Sequence, residues 1–83
     1  MYFVYLIVSK NKKRTISYVG YTNNITKRLK LHNSSKGAKF TRGRKWKLLY
    51  FKKYDNKILS MREEYKLKKD YNLRKKIKLG IIK

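Results

Sequence analysis

The stretch VYLIVSKNKKRTISYVG, residues 4–20, decides the fold of this chain. Two apolar segments flank a polar run rich in lysine. The first, Tyr2 to Val8, is apolar on both faces and rich in aromatic and β-branched residues, which is typical of a strand covered on both sides. The second, Thr15 to Thr22, alternates more and predicts a partner strand. We therefore expect a β-hairpin whose first strand is central in a sheet.

The hairpin register predicts that two tyrosines share one face. If the strands are symmetric about their loop, Tyr5 lies opposite Tyr18 and Phe3 lies opposite Gly20. The tyrosines then form either an ordinary cross-strand aromatic pair or a pair of phenols aimed at a substrate. The pattern of the two strands alone leaves both interpretations open.

A helix is predicted directly after the hairpin. Asn24 is a typical N-cap for a helix from Ile25 to Asn33. At roughly 100° per residue, one stripe of this helix faces the sheet while Lys27 and Lys30 point away. The inward stripe consists of Ile25, Arg28, Leu29 and His32.

The second half of the chain predicts another strand and two helices. A basic loop, SSKGAKFTRGRK, covers residues 34–45, and a third strand is expected from Lys47 to Tyr54. Asn56 caps a helix that runs from Lys57 to about Asp70. We expect its inner stripe to be Ile58, Met61 and Tyr65, and Leu59 and Leu67 to meet a short last helix carrying Leu73, Ile77 and Ile81.

These elements predict a single α+β domain over residues 1–83, with a small three-stranded antiparallel sheet and flanking helices. The apolar run at the start is too short to span a membrane, and the features of a signal peptide are absent. The chain has no Cys, which excludes disulfides and thiolate zinc sites. We therefore expect a cytoplasmic or nuclear protein that is a monomer or a weak dimer.

The charge of the chain predicts its partner. Lys and Arg number 25 against four acidic residues, which gives a net charge of +21 at pH 7. Nucleic acid is the expected partner of such a basic domain. An anionic membrane surface is the weaker alternative, because the aromatic, strand-rich first half does not suit an amphipathic membrane helix.

Five residues supply the groups that phosphodiester cleavage needs. Arg28 is a cation that can offset charge on a phosphate, and it can instead extend from the apolar stripe to solvent. Glu64 can hold a divalent metal, or it can pair with Lys68 one turn later. Tyr5, Tyr18 and His32 can handle a water molecule and its proton.

In these residues the chain resembles the GIY-YIG nucleases, especially small stand-alone members. FVY at residues 3–5 matches Gly-Ile-Tyr, and YVG at residues 18–20 matches Tyr-Ile-Gly. The next motifs follow in the family's order. They are a Thr-Asn helix start, an arginine in the helix, His-Asn, and a Lys-Gly-Ala-Lys-x-Thr-Arg loop. MREEYKLKK, residues 61–69, is similar to the helix that carries the family's metal-binding glutamate.

The resemblance implies a role for each matched residue. Tyr5 and Tyr18 match the motif tyrosines, Arg28 the phosphate-contacting arginine and Glu64 the ligand of a single Mg²⁺ or Mn²⁺. His32 matches a histidine of part of the family that supports the tyrosine or the phosphate. The family cuts DNA hydrolytically and leaves 5′-phosphate and 3′-hydroxyl ends. The chain departs from the pattern at two positions, with Phe3 for the first glycine and Lys76 for a later asparagine.

The basic loop predicts a surface that follows a nucleic-acid backbone. Phe40 adds a stacking option, and Trp46 is either part of that surface or part of the core. The expected nucleic-acid contacts are Lys36, Lys39, Thr41, Arg42, Arg44 and Lys45.

The sequence thus predicts a divalent-metal-dependent DNA endonuclease of low sequence specificity, and it leaves open whether the preferred DNA is duplex, nicked, branched or single-stranded. The alternative is a non-catalytic DNA- or RNA-binding module on the same scaffold. A small RNA-binding accessory protein is a weaker alternative.

Overall fold

A computed structural model describes residues 1–11 and 14–80 of the chain. The predicted bounds of the second and third strands and of the first helix are confirmed. Ile81, expected in the last helix, lies outside the described residues. The elements are β1 (Tyr2–Lys10), β2 (Thr15–Thr22), α1 (Ile25–Asn33), a 3-10 turn (Lys39–Thr41), β3 (Lys47–Tyr54), α2 (Lys57–Lys69) and α3 (Tyr71–Lys78).

The three strands form one antiparallel sheet with the order β2-β1-β3. As its apolar pattern predicted, β1 is the central strand, and every residue from Val4 to Val8 is buried. The fold class, α+β with a three-stranded antiparallel sheet and flanking helices, is confirmed.

The hairpin register differs from the prediction by two residues. Tyr5 lies opposite Gly20, Tyr18 lies opposite Ile7, and Phe3 lies opposite Thr22. The predicted register was wrong because β1 does not end at Val8: it continues to Lys10, and the Asn11 amide then donates to the Arg14 carbonyl at 3.1 Å. Since side chains alternate with a period of two, both tyrosines still lie on one face.

Each face of the sheet carries its own core. On one face, Tyr5, Ile7 and Trp46 are buried, with Tyr18 and Leu29 packed against them. This is the face that α1 covers. The other face is covered by α2 and α3, and its buried residues are Val4, Leu6, Val8, Val19, Leu67 and Ile77. Within the described ranges, no helix has the length and apolar character needed to cross a membrane.

Helix α2 presents a different face to the sheet from the one that its apolar residues predicted. Ile58 and Tyr65 of the expected inner stripe are 72% and 58% exposed. The buried residues of α2 are instead Ser60 and Leu67. The small Ser60 side chain lets the helix approach the sheet closely, and Leu67 packs with Ile77 as expected. The prediction of the inner stripe was therefore wrong, and the predicted contact with α3 is confirmed for Leu67.

Asparagine caps fix the starts of two helices, as predicted. The Asn24 side chain accepts a hydrogen bond from the Lys27 amide at 3.0 Å. The Asn56 side chain accepts one from the Leu59 amide at 2.8 Å. Such caps satisfy amides that have no partner within the helix. The caps therefore fix the residue at which each helix begins, and this sets which side chains of α1 and α2 face the sheet.

Candidate active site

The phenol of Tyr5 lies at the centre of the candidate site. Tyr5 is 3% exposed, and its hydroxyl is 2.8 Å from Nε2 of His32. Its ring crosses the backbone of Gly20 on β2. A Cβ added at Gly20 would lie 2.7 Å from Cζ of Tyr5, which is closer than real Cβ contacts. A glycine is therefore needed at this position for the phenol to reach the histidine.

His32 joins the two tyrosines to the basic loop. It is fully buried on the inner face of α1. Its ring centroid is 5.8 Å from that of Tyr5 and 5.2 Å from that of Tyr18. Its Nδ1 is 2.8 Å from Oγ1 of Thr41. Because it is fully buried, His32 contacts the tyrosines and Thr41 but has no surface exposed to solvent.

Arg28 lies one helical turn before His32 on the same face of α1. It is half-buried, and its buried Nε has no hydrogen-bond partner within the part of the chain that the structure describes. Burying a guanidinium N–H without an acceptor is costly, and Nε of Arg74 on α3 is buried in the same way. The half-buried guanidinium of Arg28 retains exposed surface, and a phosphate oxygen is the kind of acceptor that such a group binds strongly.

Glu64 approaches the site from α2. Its side chain is 15% exposed, and one carboxylate oxygen is 3.5 Å from Nζ of Lys68. This is the helix ion pair that the sequence left open as an alternative to metal binding. The two roles are compatible, because the lysine side chain is 48% exposed and free to be displaced from a loose contact.

The protonation of the site follows from burial and from its charges. Burial raises the pKa of Tyr5 above its ordinary value of 10.0; Arg28 opposes this shift, and Tyr18 and Glu64 add to it. Burial also lowers the pKa of His32 below 6.5, and the charge of Arg28 acts in the same direction. At neutral pH the site therefore contains a neutral phenol beside a neutral imidazole.

The basic loop lies on the same face of the sheet as the tyrosines. Four of the predicted contact residues are exposed and Arg44 is half-buried. Thr41 is the exception: it is fully buried, and its hydroxyl bonds to His32 and to the Ala38 carbonyl. The prediction that Thr41 contacts nucleic acid was therefore wrong, because no surface of the residue reaches solvent. The exposed residues are Lys36, Lys39, Arg42 and Lys45.

Two aromatic residues of the loop region have different environments. Phe40 is 59% exposed, and its ring lies over that of Tyr18, with centroids 6.0 Å apart and planes at 22°. Trp46 is 5% exposed and belongs to the core. The structure thus settles the alternatives for Trp46 and leaves Phe40 as the exposed aromatic side chain beside Tyr18.

Two residues of the matched family pattern, Gly37 and Asn33, position the site although no role was predicted for them. A Cβ added at Gly37 would lie 2.5 Å from Nδ1 of His32, so the loop passes close over the imidazole only because it has glycine there. Asn33 bonds through its side chain to both the amide and the carbonyl of Trp46, which ties the end of α1 to the start of β3. The glycine is visible in the loop sequence, but its contact with a residue five positions earlier is not.

The donors present fit one kind of metal site. Within residues 1–11 and 14–80, no cluster of three or more histidine, cysteine or acidic side chains could enclose an ion. Glu64 can supply one carboxylate, which suits a hard cation such as Mg²⁺ that retains most of its waters. A site for zinc or another fully enclosed ion does not fit this donor set.

Comparison with known proteins gives a family and several relatives. The profile of the GIY-YIG catalytic domain matches residues 1–78. A UPF0213 protein of Oceanobacillus iheyensis is 44% identical over 68 residues, which cover 81% of this chain and 76% of the relative. A UPF0213 protein of Clostridium perfringens is 44% identical over 70 residues, covering 83% and 72%. The UPF0213 protein YsiG of Lactococcus lactis is 42% identical over 83 residues, covering 99% and 75%. No solved structure matches the chain significantly.

Proposed function

The chain belongs to the GIY-YIG catalytic-domain family, and from this membership we propose that it is a divalent-metal-dependent endonuclease that hydrolyses phosphodiester bonds in DNA. The observation that carries the proposal is the buried 2.8 Å contact between the Tyr5 hydroxyl and Nε2 of His32. Arg28 from α1 and Glu64 from α2 both act electrostatically on the same phenol. A cation, a carboxylate and a proton acceptor from separate elements thus act on the same phenol.

Tyr5 and His32 provide a path for a proton. A water molecule that attacks phosphorus must lose a proton, and the Tyr5 oxygen receives it as the phenol passes its own proton to Nε2 of His32. The raised pKa of Tyr5 keeps the phenol protonated beforehand, and the lowered pKa of His32 keeps the imidazole neutral. The path therefore requires that Nε2 carries no proton before the reaction. Tyr18, which is half-buried beside His32, orients the water.

Arg28 supplies the charge for the transition state. Its guanidinium is half-buried, so a bond to a phosphate oxygen there is stronger than the same bond in water. Attack by water forms one P–O bond, and the bond from phosphorus to the 3′ oxygen breaks. The leaving 3′ oxygen takes up a proton, which gives the 5′-phosphate and 3′-hydroxyl ends.

Glu64 is the proposed ligand of Mg²⁺ or Mn²⁺. When bound, the cation adds positive charge that offsets the charge developing on the phosphate. The Glu64 side chain keeps a small exposed fraction, 15%, through which a hydrated ion can reach it. Lys68 must then move away from the carboxylate, and its exposed position permits this movement.

The basic loop is the proposed backbone-binding surface. Lys36, Lys39, Arg42 and Lys45 are exposed cations on the face of the sheet that carries Tyr5. Lysine and arginine contacts to phosphates fix the position of DNA without reading its sequence. Low sequence specificity follows, and Phe40 offers an aromatic surface on which an unstacked base can rest.

Binding of DNA or RNA without cleavage is the second candidate function. The contact between Glu64 and Lys68 favours it, because a lysine already neutralises the carboxylate. The two functions differ in one property: only the nuclease depends on the Glu64 carboxylate for a chemical step.

The test is nicking of supercoiled plasmid in Mg²⁺ or Mn²⁺ at moderate salt, with Glu64→Gln and Glu63→Gln compared side by side. Both variants lose one negative charge on α2, but Glu63 pairs with Lys66 and acts electrostatically on Tyr54, whereas Glu64 acts on Tyr5. We expect wild type and Glu63→Gln to nick the plasmid. Glu64→Gln should be slower by about 100-fold or more, because several kcal/mol of charge stabilisation is lost.

Two results would count against the proposal. If all three proteins bind the plasmid and none cuts it or a branched DNA, the binding module is the correct function. If Glu64→Gln and Glu63→Gln cut equally well, the nuclease does not use Glu64 as its metal ligand.

A further inference from the structure

A chain of three short polar contacts runs through the buried part of the site. The Tyr5 hydroxyl contacts Nε2 of His32 at 2.8 Å, and Nδ1 of His32 contacts Oγ1 of Thr41 at 2.8 Å. The Thr41 hydroxyl in turn donates to the Ala38 carbonyl, also at 2.8 Å. His32 and Thr41 are both fully buried, so water cannot replace these contacts.

The direction of the chain follows from counting protons. A carbonyl oxygen can only accept, so the single proton of the Thr41 hydroxyl is committed to Ala38. The Thr41 oxygen can then only accept from His32, and Nδ1 must carry the proton. In a neutral imidazole the other nitrogen, Nε2, is left as an acceptor for the Tyr5 hydroxyl.

We infer that Thr41 is a positioning residue for the proposed reaction: its hydroxyl holds His32 as the Nδ1–H tautomer, which leaves Nε2 free to take the Tyr5 proton. The catalytic consequence rests on the proposed nuclease function, but the tautomer itself does not. With the opposite tautomer, Nε2 would donate to Tyr5, and the proton path would be closed. The contact between Thr41 and Ala38 would then join two acceptors without a proton.

The loop is built to hold Thr41 in this orientation. The Thr41 amide donates to the Ala38 carbonyl at 3.0 Å, and the Thr41 carbonyl accepts from Nε1 of Trp46 at 2.9 Å. The backbone on both sides of the hydroxyl is therefore fixed. Gly37 allows the loop to pass within contact distance of the imidazole edge. These restraints make the hydroxyl a preorganised acceptor.

The same bond serves His32 before and after it takes a proton. Nδ1–H donates to Thr41 in the neutral ring, and it still donates when Nε2 also becomes protonated. No group has to turn during the transfer. A carboxylate at this place would orient the ring in the same way but would also favour the charged imidazole. A neutral hydroxyl orients the ring and leaves it uncharged, ready to accept.

The test reads the tautomer directly, because His32 is the sole histidine of the chain. Nitrogen-15 NMR of the full-length protein, above the pKa of His32, distinguishes a protonated from an unprotonated ring nitrogen. We expect a protonated Nδ1 and an unprotonated Nε2. A spectrum with a protonated Nε2 would overturn the inference without any variant and without any measurement of activity.

Two variants separate the hydroxyl from the shape of residue 41. Thr41→Val keeps the shape and removes the hydroxyl, and Thr41→Ser keeps the hydroxyl. We expect Thr41→Val to shift His32 towards the Nε2–H tautomer and to lower kcat about 10- to 100-fold, the range seen when partners of functional histidines in metal sites are removed. KM for DNA should change little, and Thr41→Ser should retain the wild-type tautomer and most of the activity.

The remaining outcomes separate the inference about Thr41 from the proposed nuclease function. If Thr41→Val folds and keeps both the Nδ1–H tautomer and its activity, or if Thr41→Ser is as impaired as Thr41→Val, the inference is wrong. If wild type has the expected tautomer but cuts no DNA, the assignment of the Nδ1–H tautomer to the Thr41 contact stands, while its catalytic consequence fails together with the proposed nuclease function.

Discussion

Gly20 is the residue on which the position of the Tyr5 phenol depends most directly. It lies opposite Tyr5 in the hairpin, and the tyrosine ring passes over it to reach His32. Any side chain at position 20 would displace the ring. The glycine of the YVG triplet is thus explained by a close approach of a side chain, without any special backbone conformation.

His32 gives the protein a pH dependence that can be measured without substrate. Burial lowers its pKa below the ordinary value of 6.5. Below pH 6.5 the unfolded chain therefore takes up a proton that the folded chain does not, and the free energy of unfolding falls as the pH is lowered. For one titrating group, the slope of the free energy of unfolding against pH cannot exceed about 1.4 kcal/mol per pH unit.

Urea denaturation between pH 7.5 and 5 measures this slope, with His32→Gln as the control. We expect the wild type to lose stability towards pH 5 and the variant to show a smaller loss. A wild-type stability that stays constant or rises on acidification would show that the folded state does not disfavour the charged imidazole.

At the scale of elements, α2 packs on the sheet through a face other than its most apolar one. Its exposed side carries Ile58, Met61 and Tyr65, while its inner side carries Ser60, Glu64 and Leu67. A helix whose apolar residues all faced the sheet would direct Glu64 away from Tyr5. The observed orientation leaves apolar residues exposed and keeps the carboxylate near the phenol.

This orientation predicts unequal costs for equivalent truncations on the two faces of α2. We expect Leu67→Ala to lower the free energy of unfolding by about 2 to 5 kcal/mol, because a buried side chain is removed. Ile58→Ala should change it by no more than about 0.5 kcal/mol, because the side chain is already exposed. Chemical denaturation of both variants checks this, and a larger loss in Ile58→Ala would mean that the helix is turned the other way.

Local patterns predicted the elements well and their mutual placement less well. The caps Asn24 and Asn56 and the two-sided apolar pattern of β1 are local signals, so the starts of these elements could be read from the sequence, but the end of β1 could not. The register could not, because Ser9 and Lys10 have polar side chains yet continue β1. The role of Thr41 could not be read either, since its contact with His32 depends on how the loop folds back.

At the scale of the whole molecule, charge is the dominant property. The net charge of +21 favours binding to polyanions and opposes a compact fold through self-repulsion. The exposed cations of the basic loop lie on the α1 side of the sheet, whereas Lys75 and Lys78 border a cavity on the α3 side. We propose that the DNA backbone binds on the loop side.

The assignment predicts a difference in salt dependence between two matched double variants. Lys39→Gln with Arg42→Gln should make the slope of log K against log salt less negative by about 2 for duplex DNA, because two phosphate contacts are lost. Lys75→Gln with Lys78→Gln removes the same charge and should change the slope less. Binding titrations at several salt concentrations give both slopes, and a larger effect of the second pair would place the DNA on the α3 side.

The most direct test of the nuclease account is cleavage of DNA in water enriched in oxygen-18, with Mg²⁺ or Mn²⁺ present. We predict cuts that leave a 3′-hydroxyl and a 5′-phosphate, with one atom of oxygen-18 in each new phosphate. A parallel reaction with Glu64→Gln should give about 100-fold fewer cuts. Unlabelled 5′-phosphates, 3′-phosphate ends, or bound DNA that stays uncut as plasmid and as branched substrate would contradict the account.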